Sequence, residues 1–240
     1  MASKPAVHVL AIAAHPDAVE QTCGGTLLKM AERGYRTAVL DLTAGEMGSR
    51  GTPEARLAEA ADAARALRLT RRLNAGLPDS RLENDFDTRR RVAVKIRELR
   101  PRVVILPYWE ARHPDHARCS RIGYDACFLS GLRKLDAEGD PHRPAKVLYA
   151  SIYADVRPSF VVDISREFER RLQALLCYRT QYADQELAAG LFPAEADVAD
   201  RVRLAARRYG ALIDAEYGEP FVTKESVRVD DIVRLGVRSL

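Results

Sequence analysis

The 240-residue sequence has few cysteines and few aromatic residues, and both shortages exclude classes of protein. Its four cysteines form no Cys-x-x-Cys pair, which argues against a disulfide framework or a cysteine-based zinc site. We therefore expect a reducing, cytoplasmic location. Aromatic residues make up 7% of the chain and do not alternate with basic residues in any strip. The net charge of +4 thus suits a small anionic substrate and does not indicate a nucleic-acid partner.

Long apolar runs are also missing. No stretch approaches the roughly 20 apolar residues that a bilayer-spanning helix needs, and residues 1–7 lack the features of a secretory signal. We expect no membrane partner. A composition of 47% apolar and 30% charged residues is typical of a soluble globular protein. We expect residues 1–240 to form a single domain.

Segments with strand-like and helix-like patterns alternate along the chain. Short apolar runs predict strands at 7–14, 37–42, 72–75, 103–107, 146–153 and 159–164. Apolar residues at helical spacing predict helices at 27–31, 52–67, 87–99, 116–135, 165–179 and 195–217. This alternation predicts an α/β fold, a Rossmann-like three-layer sandwich with a mostly parallel sheet and helices on both faces.

The first polar segment, His15-Pro16-Asp17, directly follows the first predicted strand. A histidine and an aspartate on one rigid turn offer a metal-binding nitrogen and a carboxylate. A helix-capping aspartate beside an incidental histidine is an equally good explanation of this turn alone. Because a nucleotide-binding protein would have Gly-x-Gly-x-x-Gly at this place, we disfavour nucleotide binding.

A second polar segment, Arg112-His113-Pro114-Asp115-His116, follows the predicted strand 103–107. The carboxyl ends of parallel strands meet at one edge of a sheet, so the two segments are expected to line the same site. Two His/Asp clusters at matching places favour a metal-dependent site over a helix start that carries surface histidines.

Together, these two motifs give the sequence a resemblance to the LmbE/PIG-L family of zinc-dependent N-acetylglucosamine deacetylases. Further segments are similar to its bacillithiol biosynthesis branch: 42–51, 76–84, 112–116, 128–132, 158–165 and 217–221. The resemblance implies that the chain removes acetate from N-acetylglucosaminyl malate. A deacetylase of another N-acetylglucosamine (GlcNAc) conjugate, such as a chitooligosaccharide or an inositol-linked sugar, is an alternative. A catalytically impaired sugar-conjugate binder is another.

The resemblance also implies roles for individual residues. One Zn²⁺ per chain would be held by His15 and His116. Asp17 would be the general base, and His113 would donate a hydrogen bond to the oxyanion. Asp115 would orient His113 and stabilise its charge. Members of this family are often homo-oligomers, so a homo-oligomer is expected as well.

One position departs from the family pattern. The family has a second aspartate, a zinc ligand, where this chain has Ala18. A methyl group cannot bind a metal, so we expect lower metal affinity and lower activity. Zinc could still be held by the histidines and water, or Glu20 or Asp115 could replace the missing carboxylate.

Three arginines are candidates for binding the substrate. Arg50 resembles a family residue that holds the sugar, and Arg112 adjoins the second polar segment. Arg81, in the loop 76–85, is a weaker candidate. A planar guanidinium is well suited to the carboxylates of a malate group.

Overall fold

The computed structural model describes residues 7–151, 155–182 and 198–237. Within these ranges the strands are β1 Val9–Ala13, β2 Thr37–Asp41, β3 Arg71–Asn74, β4 Val103–Pro107, β5 Lys146–Ala150, β6 Phe160–Asp163 and β7 Gly218–Val222. The helices are α1 Ala18–Thr22, α2 Gly24–Glu32, α3 Pro53–Ala66, α4 Phe86–Leu99, α5 Pro114–Leu129, α6 Phe168–Leu175, α7 Arg179–Tyr182 and α8 Val198–Ala211.

The strands form one sheet in the order β3-β2-β1-β4-β5-β7-β6. Strands β1 to β5 pair in parallel, with Val9 opposite Thr37 on one side and Val103 on the other. Strand β7 runs antiparallel to both β5 and β6. The predicted α/β fold with a mostly parallel sheet is therefore confirmed.

The sheet order places the site. From β1 the chain builds β2 and β3 on one side, then crosses to build β4 and β5 on the other. The boundary between β1 and β4 is thus a topological switch point, where open α/β sheets bind their ligands beyond the carboxyl ends of the strands. His15 follows β1 there, and His113 follows β4.

Helices cover both faces of the sheet, as predicted. Alternate residues of β1 point to opposite faces. Leu10 and Ile12 belong to a core shared with Ile96 of α4 and Ile122 of α5. Their neighbours in β1 belong to a second core that includes Leu27 of α2. Each fully buried leucine or isoleucine contributes roughly 1.5–3 kcal/mol to folding.

Helix starts agreed with the sequence better than helix ends. Thr52 caps α3 as predicted, accepting a hydrogen bond from the Ala55 N–H at 3.2 Å, with Pro53 at the first helical position. Helix α5 ends at Leu129 rather than at 135, because the next segment turns back and its carbonyls bind the buried Arg97. The predicted helix 165–179 corresponds to α6, which ends at Leu175, and α7 begins at Arg179 after a break without glycine or proline.

Strand β7 was missed, since its Gly218, Glu219 and Pro220 are poor strand formers. The predicted helix 195–217 ends at Ala211, and the chain turns into β7. The Glu219 carboxylate accepts hydrogen bonds from the N–H groups of Gly25 at 2.9 Å and Thr26 at 2.7 Å. A carboxylate is favourable at such a helix start, so this buried charge fixes β7 against α2.

No helix in the described ranges has both the length and the apolar character of a membrane span. The ends of two predicted elements, 152–153 and 195–197, lie outside the described residues.

Candidate active site

The turn after β1 directs two buried side chains to the sheet edge. Asp17 has φ 91° and ψ −26°, in the left-handed region that aspartate tolerates better than most residues. It is the last residue before α1, but its side chain makes no capping hydrogen bond. His15 and Asp17 are 7% and 9% exposed. The simple capping interpretation of Asp17 therefore fails, and its carboxylate is directed elsewhere.

The turn after β4 fixes a second histidine. His113 is the N-cap of α5, and its Nδ1 accepts a hydrogen bond from the Asp115 N–H at 3.2 Å. A neutral imidazole whose Nδ1 accepts must carry its proton on Nε2. Burial lowers the pKa of His113, with the charge of His15 adding to the effect, so the neutral ring is favoured. His113 can therefore donate a hydrogen bond from Nε2.

Three imidazoles meet where these turns converge. The ring centroid of His15 lies 4.9 Å from that of His113 and 5.3 Å from that of His116. The His113 and His116 centroids are 5.1 Å apart. Burial lowers the pKa of His116 to about 3, with the neighbouring histidines adding to this effect. A neutral imidazole is the form that binds a metal.

Asp115 lies under this group, with 1% exposure. Its Oδ2 is 3.6 Å from His15 Nε2 and accepts the Ser80 N–H at 2.8 Å. Its Oδ1 is 3.3 Å from Arg118 Nη1. Asp115 was expected to orient His113 through its carboxylate, but the contact that orients His113 comes from its main-chain N–H. The reason is that an N–H in the first turn of a helix has no partner within the helix.

Asp79 was not predicted and is a central residue of the site. Its Oδ1 accepts a hydrogen bond from His15 Nε2 at 2.9 Å, and its Oδ2 accepts the Met47 N–H at 3.0 Å. Although burial opposes it, these bonds hold the pKa of Asp79 below its usual range. Burial alone would lower the pKa of His15, but Asp79 and Asp17 raise it. A carboxylate on one ring nitrogen is the arrangement that fixes a metal-binding histidine.

These donors suit a zinc ion. Ligand atoms of His15, His113 and Asp115 all lie within 4.8 Å of one another. Zinc bonds to nitrogen and oxygen of about 2.0–2.2 Å bring tetrahedral ligands within roughly 3.5 Å of one another, so a small closing movement is sufficient. His116, which the resemblance names as a ligand, is adjacent to this group.

Ala18 and Glu20 contact residues other than the three imidazoles. Ala18 packs with Val19 and Cys23 in an apolar core and is 7% exposed. Glu20 is fully buried, and its Oε1 is 2.5 Å from Arg72 Nη1. Because Glu20 is held in this ion pair, Asp115 is the better candidate for the missing carboxylate.

Two further residues contact Asp17 and were missed. The Tyr182 hydroxyl donates to Asp17 Oδ2 at 2.6 Å, and Arg56 Nη2 is 3.5 Å from the same oxygen. Burial raises the pKa of Asp17, and Arg56 and Tyr182 oppose the rise. Arg56 also donates to the Gly45 carbonyl at 3.1 Å. Gly45 has a φ of +71°, and a Cβ at this position would overlap the Arg56 guanidinium, so a glycine leaves room for it.

The three candidate substrate-binding arginines differ in their surroundings. Arg50 donates to the carbonyl of Gln181 in α7. Arg81 and Arg112 are exposed, and their guanidinium groups have no hydrogen bond or ion pair with any residue that the structure describes. Arg112 directly precedes His113, so its guanidinium is available at the rim of the site.

Comparisons with known proteins give a family match and similar solved structures. The model of the PIG-L family, described as GlcNAc-PI de-N-acetylase, matches residues 10–127. The conserved protein TT1542 from Thermus thermophilus has a similar crystal structure, with a TM-score of 0.85 and 38% identity, covering 93% of this chain and 97% of that one.

Two relatives carry a named activity. The diacetylchitobiose deacetylase of Thermococcus kodakarensis is 28% identical, covering 73% of this chain and 70% of that protein. The structure of N,N'-diacetylchitobiose deacetylase from Pyrococcus horikoshii has a TM-score of 0.77 and 24% identity, covering 89% and 82%. Both relatives match over most of their length.

Proposed function

Because the chain belongs to the PIG-L family, we propose that it is a zinc-dependent hydrolase that removes acetate from a GlcNAc conjugate. The observation that carries this proposal is the meeting of three imidazoles and the buried Asp17 at the switch point of the sheet. We propose N-acetylglucosaminyl malate, on the route to bacillithiol, as the substrate. The exposed Arg112 and Arg81 support an anionic substrate.

His15 and His116 would hold one Zn²⁺ per chain, with Asp115, whose Oδ2 is 3.6 Å from His15 Nε2, as the candidate carboxylate. The alternative set that the geometry supports is His15, His113 and Asp115. A zinc ion supplies a Lewis acid that polarises an amide carbonyl and acidifies water. In the first ligand set His113 remains the donor to the oxyanion, and in the second it becomes a metal ligand.

Asp17 would act as the general base. It accepts a proton as water adds to the acetamide carbon, and it passes that proton to the nitrogen as the C–N bond breaks, releasing acetate and a free amine. The pKa of Asp17, raised by burial, suits both halves of this transfer. His113 would donate from Nε2 to the oxyanion, a contribution of about 3 kcal/mol to lowering the barrier.

Ala18 lowers the metal affinity in this proposal. The family position contributes a carboxylate ligand, and loss of a ligand costs more than the roughly 10- to 100-fold that follows the loss of a supporting contact. We expect Ala18→Asp to bind zinc more than tenfold more tightly than the unchanged chain, as measured by competition with a chelator. Equal affinities would show that another group already completes the site.

The experiment that tests the function is acetate release from N-acetylglucosaminyl malate with added zinc. The unchanged chain, Ala18→Asp and Asp17→Asn are compared. We expect activity in Ala18→Asp, lower activity in the unchanged chain and almost none in Asp17→Asn. Absence of activity in all three would exclude this substrate.

A chitooligosaccharide is the second candidate substrate, because two relatives are diacetylchitobiose deacetylases. The same assay with diacetylchitobiose decides between the two, and a higher kcat/KM for diacetylchitobiose would replace the malate proposal. If neither conjugate is cleaved but one binds in calorimetry, the chain is a sugar-conjugate binder.

We also propose a cytoplasmic, homo-oligomeric enzyme. All four cysteines are free, as suits a reducing compartment. Sedimentation of the purified protein tests the oligomeric state, and a monomer at working concentrations would exclude the homo-oligomer.

A further inference from the structure

We propose that Tyr182 is a positioning residue for Asp17, and that Arg50 supports it by holding α7 in place. This role rests on the proposed function, in which Asp17 is the general base. Tyr182 does not touch the reacting atoms in this proposal. It acts by holding the Asp17 carboxylate in one orientation.

The hydrogen bonds around Tyr182 have a defined direction. Gln21 Nε2 donates to the Tyr182 hydroxyl oxygen at 3.0 Å. An amide NH₂ group only donates, and the Tyr182 hydroxyl in turn donates to Asp17 Oδ2 at 2.6 Å. The bonds therefore run from Gln21 through Tyr182 to Asp17.

The two carboxylate oxygens of Asp17 have different roles in this arrangement. Oδ2 receives both Tyr182 and Arg56. No donor among the described residues bonds to Oδ1. Oδ1 is thus the oxygen left for the proton of the attacking water, and Tyr182 prevents the carboxylate from rotating away from that position.

Helix α7 is held from two sides. It has only four residues, and so short a helix is not stable alone. Glu59 of α3 accepts hydrogen bonds from the Thr180 N–H and hydroxyl, each at 2.8 Å. Arg50 donates to the Gln181 carbonyl, and Gln181 Nε2 donates back to the Arg50 carbonyl at 2.8 Å.

Gly51 shows how closely the loop after β2 approaches α7. Its φ is +67°, and a Cβ at this position would lie 2.6 Å from Thr180 Oγ1. The loop that carries Arg50 therefore packs directly on α7. Arg50, which the resemblance assigned to the sugar, is engaged in holding the helix that carries Tyr182.

The test is a double-mutant cycle on acetate release, run in the unchanged chain and in Ala18→Asp. Tyr182→Phe removes the hydroxyl and keeps the ring. We expect kcat to fall about tenfold or more, with KM changed less than about twofold. In the Asp17→Asn background, Tyr182→Phe should have no further effect, because a residue that acts through Asp17 has nothing left to position.

Tyr178→Phe is the matched control. It removes the hydroxyl of a tyrosine four residues earlier in the chain. That hydroxyl donates to Glu20 Oε1 at 3.3 Å, whereas the Tyr182 hydroxyl donates to Asp17. We expect its kcat to be unchanged. An unchanged kcat in Tyr182→Phe, or an equal loss with and without Asp17→Asn, overturns the positioning role.

A crystal structure of Tyr182→Phe gives a result that does not depend on activity. We expect the Asp17 carboxylate to rotate or to occupy two orientations. An unmoved carboxylate would contradict the proposal even if no substrate is found. If Asp17→Asn keeps full activity, the base assignment fails. If Asp17→Asn is inactive but Tyr182→Phe is fully active, only the role of Tyr182 fails.

Discussion

Two groups of buried charges lie close together in this molecule, and they differ in how the charges are paired. In the open cluster, Asp17, Asp79 and Asp115 surround the histidines. In the closed cluster, Arg72 lies 2.5 Å from Glu20 and 2.7 Å from Asp41. Arg72 pairs with two carboxylates at once, whereas Asp17 and Asp115 of the open cluster have longer contacts to Arg56 and Arg118.

The comparison shows that a motif residue need not be a site residue. Asp17 and Glu20 are three positions apart in one motif, yet Glu20 belongs to the closed cluster. Burying a charge is costly unless it is paired. The pairing of Glu20 indicates a structural role, and the surplus of ligand atoms in the open cluster indicates a functional one.

The largest expected effect is a loss of activity when a charge of the open cluster is removed. Asp17→Asn should lower kcat by roughly 10²- to 10⁴-fold, the contribution typical of general-base catalysis. The free energy of unfolding should change little, because an amide oxygen can still accept from Tyr182. Acetate release and urea unfolding measure the two quantities. A large loss of stability with retained kcat would place Asp17 with the structural charges.

The second largest effect distinguishes the two clusters by their contribution to the free energy of unfolding. Arg72→Met should lower the free energy of unfolding by roughly 3–5 kcal/mol, because it leaves the buried carboxylates of Glu20 and Asp41 without their cation. Arg71→Met is the control on the same strand. Its pair with Glu98 is exposed, so less than about 1 kcal/mol is expected. Equal losses in urea unfolding would show that the closed cluster is not a special source of stability.

A third pair of changes sharpens the roles within the open cluster. His116→Ala should lose zinc, as measured by metal analysis. His113→Ala should keep zinc and lose roughly 10²- to 10³-fold in kcat, the usual cost of removing an oxyanion donor. The reverse result, with zinc lost only in His113→Ala, would establish the alternative ligand set of His15, His113 and Asp115.

The smallest effect concerns Arg50 at the edge of the open cluster. Arg50→Ala should lower kcat about tenfold or less, with KM nearly unchanged, if Arg50 only supports α7. A higher KM with an unchanged kcat would instead assign Arg50 to the sugar. Arg112→Ala provides the contrast, since loss of an exposed guanidinium that binds the substrate should raise KM.

The sequence predicted those parts of the fold and site whose signals are local. The apolar run of β1 and the His15-Pro16-Asp17 turn that follows it are neighbours in the chain, so the pattern locates both. Asp79 and Tyr182 reach the site over 64 and 165 residues, and no local pattern reports such contacts. Arg56 sits in a helix with many charged residues, where a solvated arginine and a buried one look the same.

The position of β7 between β5 and β6 has a consequence for how the chain folds. Strand β6 pairs with β7 and is separated by it from the parallel strands, so β6 cannot join the sheet before Gly218–Val222 has been synthesised. Pairing between distant segments is slow because the intervening loop must first be closed. We therefore expect the parallel half of the sheet, with its histidines, to assemble first during translation, and β6 to join the sheet only when β7 is in place.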